Sequence, residues 1–192
     1  MMSAWENEAV VQHYDWSTVH TIVDLGGHHG TLLSAIHAAH PHIHGYCLDR
    51  PQVLDRREST PIPGVTFIAG DLFDASTIPR EADVWLMKHI VFCDWDDEDS
   101  HCILRACHDA MPTNGRLIIG EAVLPEPSDC GRGNNLVYFH MDLLLLVAGR
   151  EDSPKPAAAW HGAARRAGFW VEDIVYTGVP MCSLVILNKR ED

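Results

Sequence analysis

Short apolar segments rich in β-branched residues recur along the chain, separated by longer stretches in which apolar positions repeat every three or four residues. A short apolar segment bounded by glycine, proline or aspartate predicts a buried β-strand. Such strands are predicted at 21–25, 43–49, 65–69, 84–88, 116–120, 171–176 and 183–188.

The longer stretches predict helices, at 4–13, 31–39, 97–110, 136–147 and 157–167. Pro41 ends the second helix and Gly168 follows the last, as expected of residues that stop helices. Strands alternating with helices predict an α/β fold, with a mostly parallel seven-stranded sheet covered by helices on both faces. A short turn-rich segment joins the last two strands, which predicts an antiparallel pair at one end of the sheet.

Composition narrows the class of protein. The 192 residues suffice for a single domain, 1–192, in which residues 1–20 form a lead-in helical segment. The formal net charge of −13 argues against nucleic acid as a partner. No apolar run reaches membrane-spanning length, no signal peptide is recognisable, and the six cysteines form no CxxC pair. We therefore expect a cytoplasmic protein with reduced thiols that does not associate with membranes.

Charged residues and glycines collect at the carboxyl ends of the predicted strands. Asp24 opens the glycine-rich segment 24–30, and Asp49, Asp71 and Lys88 stand at or just beyond the ends of the next three strands. In α/β sheets, ligands bind outside these strand ends, at the point where the strand order reverses. Glycines let the backbone approach a ligand, and the following helix offers free N–H groups. The pattern predicts a site for a ribose-bearing cofactor.

Nine short sequence motifs, in order and spanning nearly the whole chain, carry a family resemblance. They are VDLGGHHG (23–30), LDRPQV (48–53), GDLFD (70–74), LMKHI (86–90), CDWDDED (93–99), MPTNGRLIIGEAVLP (111–125), MDLLLL (141–146), GRED (149–152) and AGF (167–169). With them the chain resembles the class I S-adenosylmethionine-dependent methyltransferases, which have a Rossmann-like fold. More narrowly, it resembles the small-molecule O-methyltransferases of the caffeate, polyketide and phenazine type.

The resemblance implies S-adenosyl-L-methionine as cofactor and S-adenosyl-L-homocysteine as product. The implied cofactor-binding residues are Asp24, Gly26, Gly27, Gly30, Asp49, Asp71, Leu72, Lys88 and Trp95. The glycines would face the methionine part, Asp49 would accept hydrogen bonds from both ribose hydroxyls, and Asp71 would accept one from the adenine amino group. Singly, each has a structural interpretation, since glycines serve turns, aspartates cap helices or form Asx-turns, and tryptophans fill cores.

The acceptor side departs from the family pattern. In the family, a His before the Asp-Trp pair removes the acceptor's proton and two Glu residues orient it, whereas this chain has Cys93 there. Counting forward from Lys88 instead puts Phe92 at the same position, and His89 is a further candidate base. Glu121 and Glu151 match the two supporting glutamates. The implied catalytic set is therefore Cys93, Glu121, Glu151 and His89.

His28 replaces the middle glycine of the loop, where a side chain would crowd the cofactor or force an unfavourable backbone conformation. His28 and His29 are adjacent, so their side chains diverge, and no zinc-type spacing surrounds them. We therefore expect no metal site.

Three functional hypotheses follow. The first is an O-methyltransferase, or its cofactor domain without the family's N-terminal dimerisation domain, acting on a hydroxyl of a small aromatic or polyketide-like metabolite. The second is a non-methylating partner subunit or scaffold that keeps the fold. The third, an NAD-type dehydrogenase, is disfavoured because the glycine spacing differs from GxGxxG. A homo- or hetero-oligomeric partner would cover the open acceptor side.

Overall fold

The computed structural model describes residues 2–57, 60–92, 95–124, 154–179 and 181–189. Its helices are α1 (Met2–His13), α2 (Thr31–Ala39), α3 (Pro51–Leu54), α4 (Asp97–Ala110) and α5 (Ala157–Arg166). Its strands are β1 (Thr21–Leu25), β2 (His44–Asp49), β3 (Val65–Ala69), β4 (Val84–Lys88), β5 (Arg116–Glu121), β6 (Val123–Leu124), β7 (Lys155–Pro156), β8 (Phe169–Tyr176) and β9 (Ser183–Lys189).

Seven strands form one sheet in the order β3-β2-β1-β4-β5-β9-β8. The first five strands of this order are parallel, and β9 runs antiparallel to both β5 and β8. The predicted sheet, including its antiparallel end, is confirmed. The strand order reverses between β1 and β4, so a crevice is expected at their carboxyl ends.

Helices cover both faces of the sheet, and a core lies under each face. On one face Trp85, Ile103 and Trp160 pack in the same cluster, which joins α4 and α5 to the sheet. On the other face Val10 and Ile36 belong to the cluster that α1 and α2 form with the sheet. The central strands are buried on both sides, which explains why their sequences are continuously apolar rather than alternating.

The structure departs from the sequence prediction in small elements and at boundaries. The single-turn helix α3 and the two-residue pair β6–β7 were not predicted, because elements this short carry no periodic signal. Strand β8 begins at Phe169, two residues earlier than predicted, because Phe169 pairs with Lys189 at the edge of the sheet. The helix predicted at 136–147 lies outside the described residues.

None of the helices in the described ranges is long and apolar enough to cross a membrane. Cys47, Cys102, Cys107 and Cys182 are free thiols, and all but Cys102 are buried. Burial raises the pKa of the Cys107 thiol, so this side chain stays a neutral part of the core.

Candidate active site

A cleft of about 710 Å³ lies at the carboxyl ends of β1, β2, β3 and β4. Seven residues proposed from the sequence line it: Gly26, Asp49, Asp71, Leu72, Lys88, His89 and Trp95. A smaller cavity of about 310 Å³ shares the walls formed by Gly26, His28 and Lys88 and extends to Asp24 and Gly27. A groove of similar size to the cleft, about 720 Å³, opens at the opposite end of the sheet and contains none of the predicted residues.

Close approach explains two of the glycines. Gly26 has φ +75° and donates its N–H to the Leu48 carbonyl at 2.8 Å, and a Cβ there would lie 2.7 Å from Ile90 Cδ1. A Cβ on Gly27 would lie 2.5 Å from Asp24 Oδ2 and 2.7 Å from Cys47 Sγ. The loop therefore disfavours a side chain at Gly26 through its positive φ and at Gly27 through close packing, and both reasons exist without a ligand.

Gly30 does not line either cavity. It precedes helix α2 with φ +71°, and a Cβ there would lie 2.9 Å from Phe67 Cζ. Close packing and the left-handed turn account for this glycine in the structure, which is the structural interpretation allowed from the sequence.

His28 adopts a left-handed backbone conformation, with φ 51°. This is the second of the two alternatives stated from the sequence, an unfavourable backbone conformation. The backbone N–H of His28 donates to Asp49 Oδ2 at 3.0 Å. Its ring lies against that of His29, with 3.9 Å between ring centroids, and the residue lines both cavities. The chain thus accepts a left-handed backbone at a residue with a Cβ, and its N–H helps to hold Asp49.

Backbone N–H groups fix both oxygens of the Asp49 carboxylate. Oδ2 accepts from His28, and Oδ1 accepts from Arg50 at 2.8 Å. A carboxylate oxygen has two lone-pair directions, so each Asp49 oxygen keeps one for a further donor. Two acceptors held at this spacing beside the cleft suit a vicinal diol such as a ribose.

Asp24 is buried under the glycine loop, with 2% of its surface exposed. Among the described residues its Oδ2 has no hydrogen-bond partner. Burial raises the pKa of Asp24 to about 7, with the negative charge of Asp49 adding to the rise and Lys88 opposing it. A buried acceptor that borders the smaller cavity is suited to a cationic donor such as an ammonium group.

Aromatic and apolar side chains form the far wall of the cleft. The rings of Phe73 and Trp95 meet edge to face with centroids 4.9 Å apart, and Leu72 lies beside them. Asp71 accepts from the Phe73 N–H at 3.0 Å, which is an Asx-turn. The structural and cofactor interpretations of Asp71 therefore coexist, since the turn places its carboxylate at the rim of the cleft.

Two residues of helix α1 contact side chains that line the cleft, a contact that no sequence motif predicts. Glu6 Oε2 lies 3.3 Å from Lys88 Nζ and 3.2 Å from His89 Nε2. Asn7 Oδ1 accepts from Lys88 Nζ at 2.9 Å. Glu6 and Asn7 belong to no recognisable motif. Helix α1 contains both polar and apolar residues, so the burial of one of its acids is visible only in the folded structure.

The His89 ring lies between two carboxylates. Its Nδ1 is 3.1 Å from Glu121 Oε1, and its Nε2 faces Glu6. Burial alone would raise the pKa of Glu6, but the hydrogen bond and positive charge of His89, with Lys88, lower it. An ionised carboxylate only accepts hydrogen bonds. Where both carboxylates are ionised, both ring nitrogens donate, and His89 then has no lone pair with which to take a proton from a hydroxyl.

The remaining acceptor-side predictions divide between described and undescribed parts of the chain. Cys93 and Glu151 lie outside the described residues. Phe92 is buried, has φ 61°, and donates its N–H to Ser100 Oγ at 3.1 Å. His89 also has a positive φ, 57°. Two left-handed residues within four positions indicate a loop whose conformation is set by its surroundings.

No group of three or more histidine, cysteine or acidic side chains in the described ranges is arranged to hold a metal ion.

The family-model comparison matches an O-methyltransferase domain over residues 2–170. The chain belongs to this O-methyltransferase family. Among curated relatives, caffeic acid 3-O-methyltransferase of Zea mays is 37% identical over 151 residues, covering 79% of this chain and 40% of that protein. Flavone O-methyltransferase 1 of Triticum aestivum is 36% identical over 150 residues, covering 78% of this chain and 39% of that protein.

Solved structures agree with the fold. Mitomycin 7-O-methyltransferase MmcR superposes with a TM-score of 0.82 at 30% identity, covering 98% of this chain and 54% of the other. CalO1, a methyltransferase of calicheamicin biosynthesis solved in its SAH-bound form, superposes with a TM-score of 0.84 at 28% identity, covering 98% and 54%. The chain thus spans about two fifths of these curated relatives and about half of these solved ones. The relatives support the predicted cofactor, S-adenosyl-L-methionine.

Proposed function

We propose that this chain binds S-adenosyl-L-methionine in the cleft and serves O-methyl transfer to a small hydroxylated metabolite. The observation that carries the proposal is the Asp49 carboxylate, held by two backbone N–H groups with acceptor capacity left on both oxygens. Two further features fit the ligand. Asp24 offers a buried acceptor beside the smaller cavity, and a Cβ at Gly27 would close the space above it.

The two adjoining cavities suit the two ends of the ligand. In the larger one, Asp49 would accept from the ribose hydroxyls, Asp71 would accept from the adenine amino group, and Leu72 and Trp95 would contact the ring. In the smaller one, the ammonium group of the methionine part would pair with Asp24. Gly26 lines both cavities and would face the ligand where they join.

The cofactor supplies an electrophilic methyl group on a sulfonium, which an acceptor oxygen displaces in line. The chain's own residues must place that oxygen and let its proton leave. His89, engaged at both nitrogens, does not accept this proton, and Glu121 holds the His89 ring in place. We propose that the acceptor is a phenol acidic enough to ionise with little assistance, its proton passing to solvent; Cys93 and Glu151 remain candidates from the sequence.

The acceptor class follows from the relatives. Three of the relatives are named as O-methyltransferases of caffeic acid, flavone and mitomycin. We extend to this chain only the shared chemistry, a hydroxyl on a small aromatic or polyketide-like scaffold. Because the chain spans about half of the solved relatives, we also propose that another chain or further domain covers the acceptor side.

A second candidate function is a non-methylating subunit that keeps the cofactor site. The surroundings of His89 favour it, because each of its two ring nitrogens lies within hydrogen-bond distance of a carboxylate, Glu6 on one side and Glu121 on the other. Binding data alone do not separate the two candidates, so a turnover measurement is needed.

The first experiment is a calorimetric titration of S-adenosyl-L-homocysteine into the wild-type chain and into Asp49→Ala. We expect micromolar binding to the wild type and at least about 100-fold weaker binding to the variant, since two hydrogen bonds to a charged acceptor are lost. Asp55→Ala is the matched control, because Asp55 is exposed at the end of α3 and outside the cleft. Equal affinity of wild type and Asp49→Ala contradicts the proposed site.

The second experiment is transfer of a labelled methyl group from S-adenosyl-L-methionine to a panel of phenols and polyketide-like hydroxyl compounds. Label in at least one phenol supports the enzyme. Cofactor binding without any transfer, with and without candidate partner proteins, supports the non-methylating subunit instead.

A further inference from the structure

Helix α1 places a buried acid behind two side chains of the cleft wall, Lys88 and His89. Glu6 is 5% exposed and its neighbour Asn7 is 6% exposed, although both belong to a helix that precedes the first strand. Asn7 also joins α1 to the residue that opens α2, through a 3.4 Å hydrogen bond to Thr31 Oγ1. The helix is thus fixed against the walls of the smaller cavity, which Thr31 helps to form.

One oxygen of Glu6 contacts two cations. Its Oε2 lies 3.3 Å from Lys88 Nζ and 3.2 Å from His89 Nε2, and both cationic side chains line the larger cavity. Lys88 lines the smaller cavity as well, where the two spaces join. Glu6 therefore acts on the cofactor cleft through these two residues.

Basic and acidic side chains alternate in this group. Among the described residues, Glu6 contacts Lys88 and His89, Glu121 contacts His89, and the charges of Asp24 and Lys88 interact. Removing Glu6 would take one negative charge away from beside Lys88 and His89, at the place where the two cavities meet.

We propose that Glu6 is a positioning residue that holds Lys88 and His89 at the cleft wall and offsets their positive charge, so that the cleft admits a ligand bearing a sulfonium cation. The inference rests on the proposed cofactor site. It assigns to the lead-in helix a role in discriminating the charged cofactor from its neutral product.

Substrate and product differ in a way that isolates this effect. S-adenosyl-L-methionine carries a sulfonium, and S-adenosyl-L-homocysteine carries a neutral thioether in the same place. A loosened helix or a distorted cleft weakens both ligands alike. An uncompensated positive charge weakens the sulfonium selectively, because like charges repel across a poorly screened site. The ratio of the two dissociation constants therefore reports on charge and not on general damage.

The test is calorimetry of both ligands, without acceptor, on wild type and Glu6→Gln. We expect the ratio of the dissociation constant of S-adenosyl-L-methionine to that of S-adenosyl-L-homocysteine to rise by about fivefold or more in Glu6→Gln. Glu6→Asp keeps the charge and should keep the wild-type ratio. Glu8→Gln is the control on the same helix, since Glu8 is exposed and bonds to Gln12.

The double variant Glu6→Gln with Lys88→Met removes one negative and one positive charge. It is expected to restore the wild-type ratio and provides the readout if Glu6→Gln alone does not fold. An unchanged ratio in Glu6→Gln, or a raised ratio in the double variant, overturns the inference. If the wild type binds neither ligand, the proposed cofactor site itself fails, which is a distinguishable outcome.

Discussion

The two sides of the cleft hold their carboxylates by different means. On the cofactor side, backbone N–H groups of His28 and Arg50 fix Asp49, so the acid is positioned by the loop that precedes it and by its own chain neighbour. On the acceptor side, Glu121 and Glu6 are held by His89, and the nearby backbone adopts positive φ.

The two sides therefore differ in whether residues near in the chain or far along it position the carboxylate. A carboxylate held by backbone needs only a strand end and a tight loop, which sequence motifs encode. A carboxylate held by a side-chain cation needs a partner delivered by the fold, such as Glu6, which lies 82 residues before Lys88 in the chain. Four variants test whether the two sides respond as this comparison requires.

The largest expected effect concerns Asp24, the buried acid of the cofactor side. Its pKa is about 7 in the folded protein against 3.8 ordinarily, mainly because of burial. The folded state therefore binds more protons than the unfolded state between these values, and stability falls as pH rises from about 4 to 7. Asp24→Asn should abolish this fall, gaining up to about 4 kcal/mol relative to wild type between pH 4 and pH 8.

Denaturant unfolding across this pH range provides the measurement. Asp74→Asn is the control of opposite sign: hydrogen bonds from Ser76 lower the pKa of Asp74, so its contribution is present at neutral pH and lost on acidification. A stability difference between Asp24→Asn and wild type that is independent of pH would show that Asp24 titrates as in an unfolded chain.

Glu121, the buried acid of the acceptor side, should behave in the opposite way because it has a cationic partner. Glu121→Gln leaves His89 without one of its two carboxylates and is expected to destabilise the fold by about 3 kcal/mol at pH 7. Chemical denaturation measures the loss. In the control Glu172→Gln, the broken ion pair with Arg116 is largely exposed, and a change below about 1 kcal/mol is expected. Equal losses in the two variants would contradict the comparison.

The glycine loop offers a packing test. Gly27→Ala places a methyl group against Asp24 and Cys47, which are both buried, and should cost about 2 kcal/mol of unfolding free energy. Gly162→Ala is the matched control: nothing lies within 4 Å of that position in helix α5, and it should gain about 0.5–1 kcal/mol. Thermal unfolding of both variants measures these changes. An unchanged unfolding free energy in Gly27→Ala would mean that the loop is packed less closely than described.

The smallest expected effect is that of His28→Gly on stability. Relief of the left-handed backbone offsets the greater freedom of glycine in the unfolded chain, so the unfolding free energy should change by less than about 1 kcal/mol. Affinity for S-adenosyl-L-homocysteine should rise, because a residue that lines both cavities loses its side chain while its backbone N–H to Asp49 remains. Calorimetry measures this, and a loss of affinity would mean that the imidazole itself contacts the ligand.

The sequence predicts the fold well where a single local signal decides. The bounds of β1, β3, β4, α2 and α4 agree with the prediction because each element has a strong apolar pattern and a clear stop. The cofactor side can be predicted from the sequence equally well, since a strand followed by an acid or glycine places that residue at one edge of a parallel sheet.

The acceptor side is harder to predict from the sequence, for physical reasons. The positive φ of Phe92 and the engagement of both His89 nitrogens depend on contacts with residues far along the chain. Sequence proposed His89 as a candidate base, but only the structure shows two carboxylates on its ring. The sequence likewise could not connect Glu6 to the cleft, because no periodic or spacing rule relates a residue of α1 to the end of β4, which follows three other strands along the chain.

The central claim is that the strand-end carboxylates converge on one adenosyl ligand. A crystal structure of the chain with S-adenosyl-L-homocysteine bound tests it most directly. We expect both ribose hydroxyls to donate to Asp49 and the amino-acid end of the ligand to lie beside Asp24. A ligand bound elsewhere, Asp49 turned away from it, or a His28 ring filling the cavity would contradict the account.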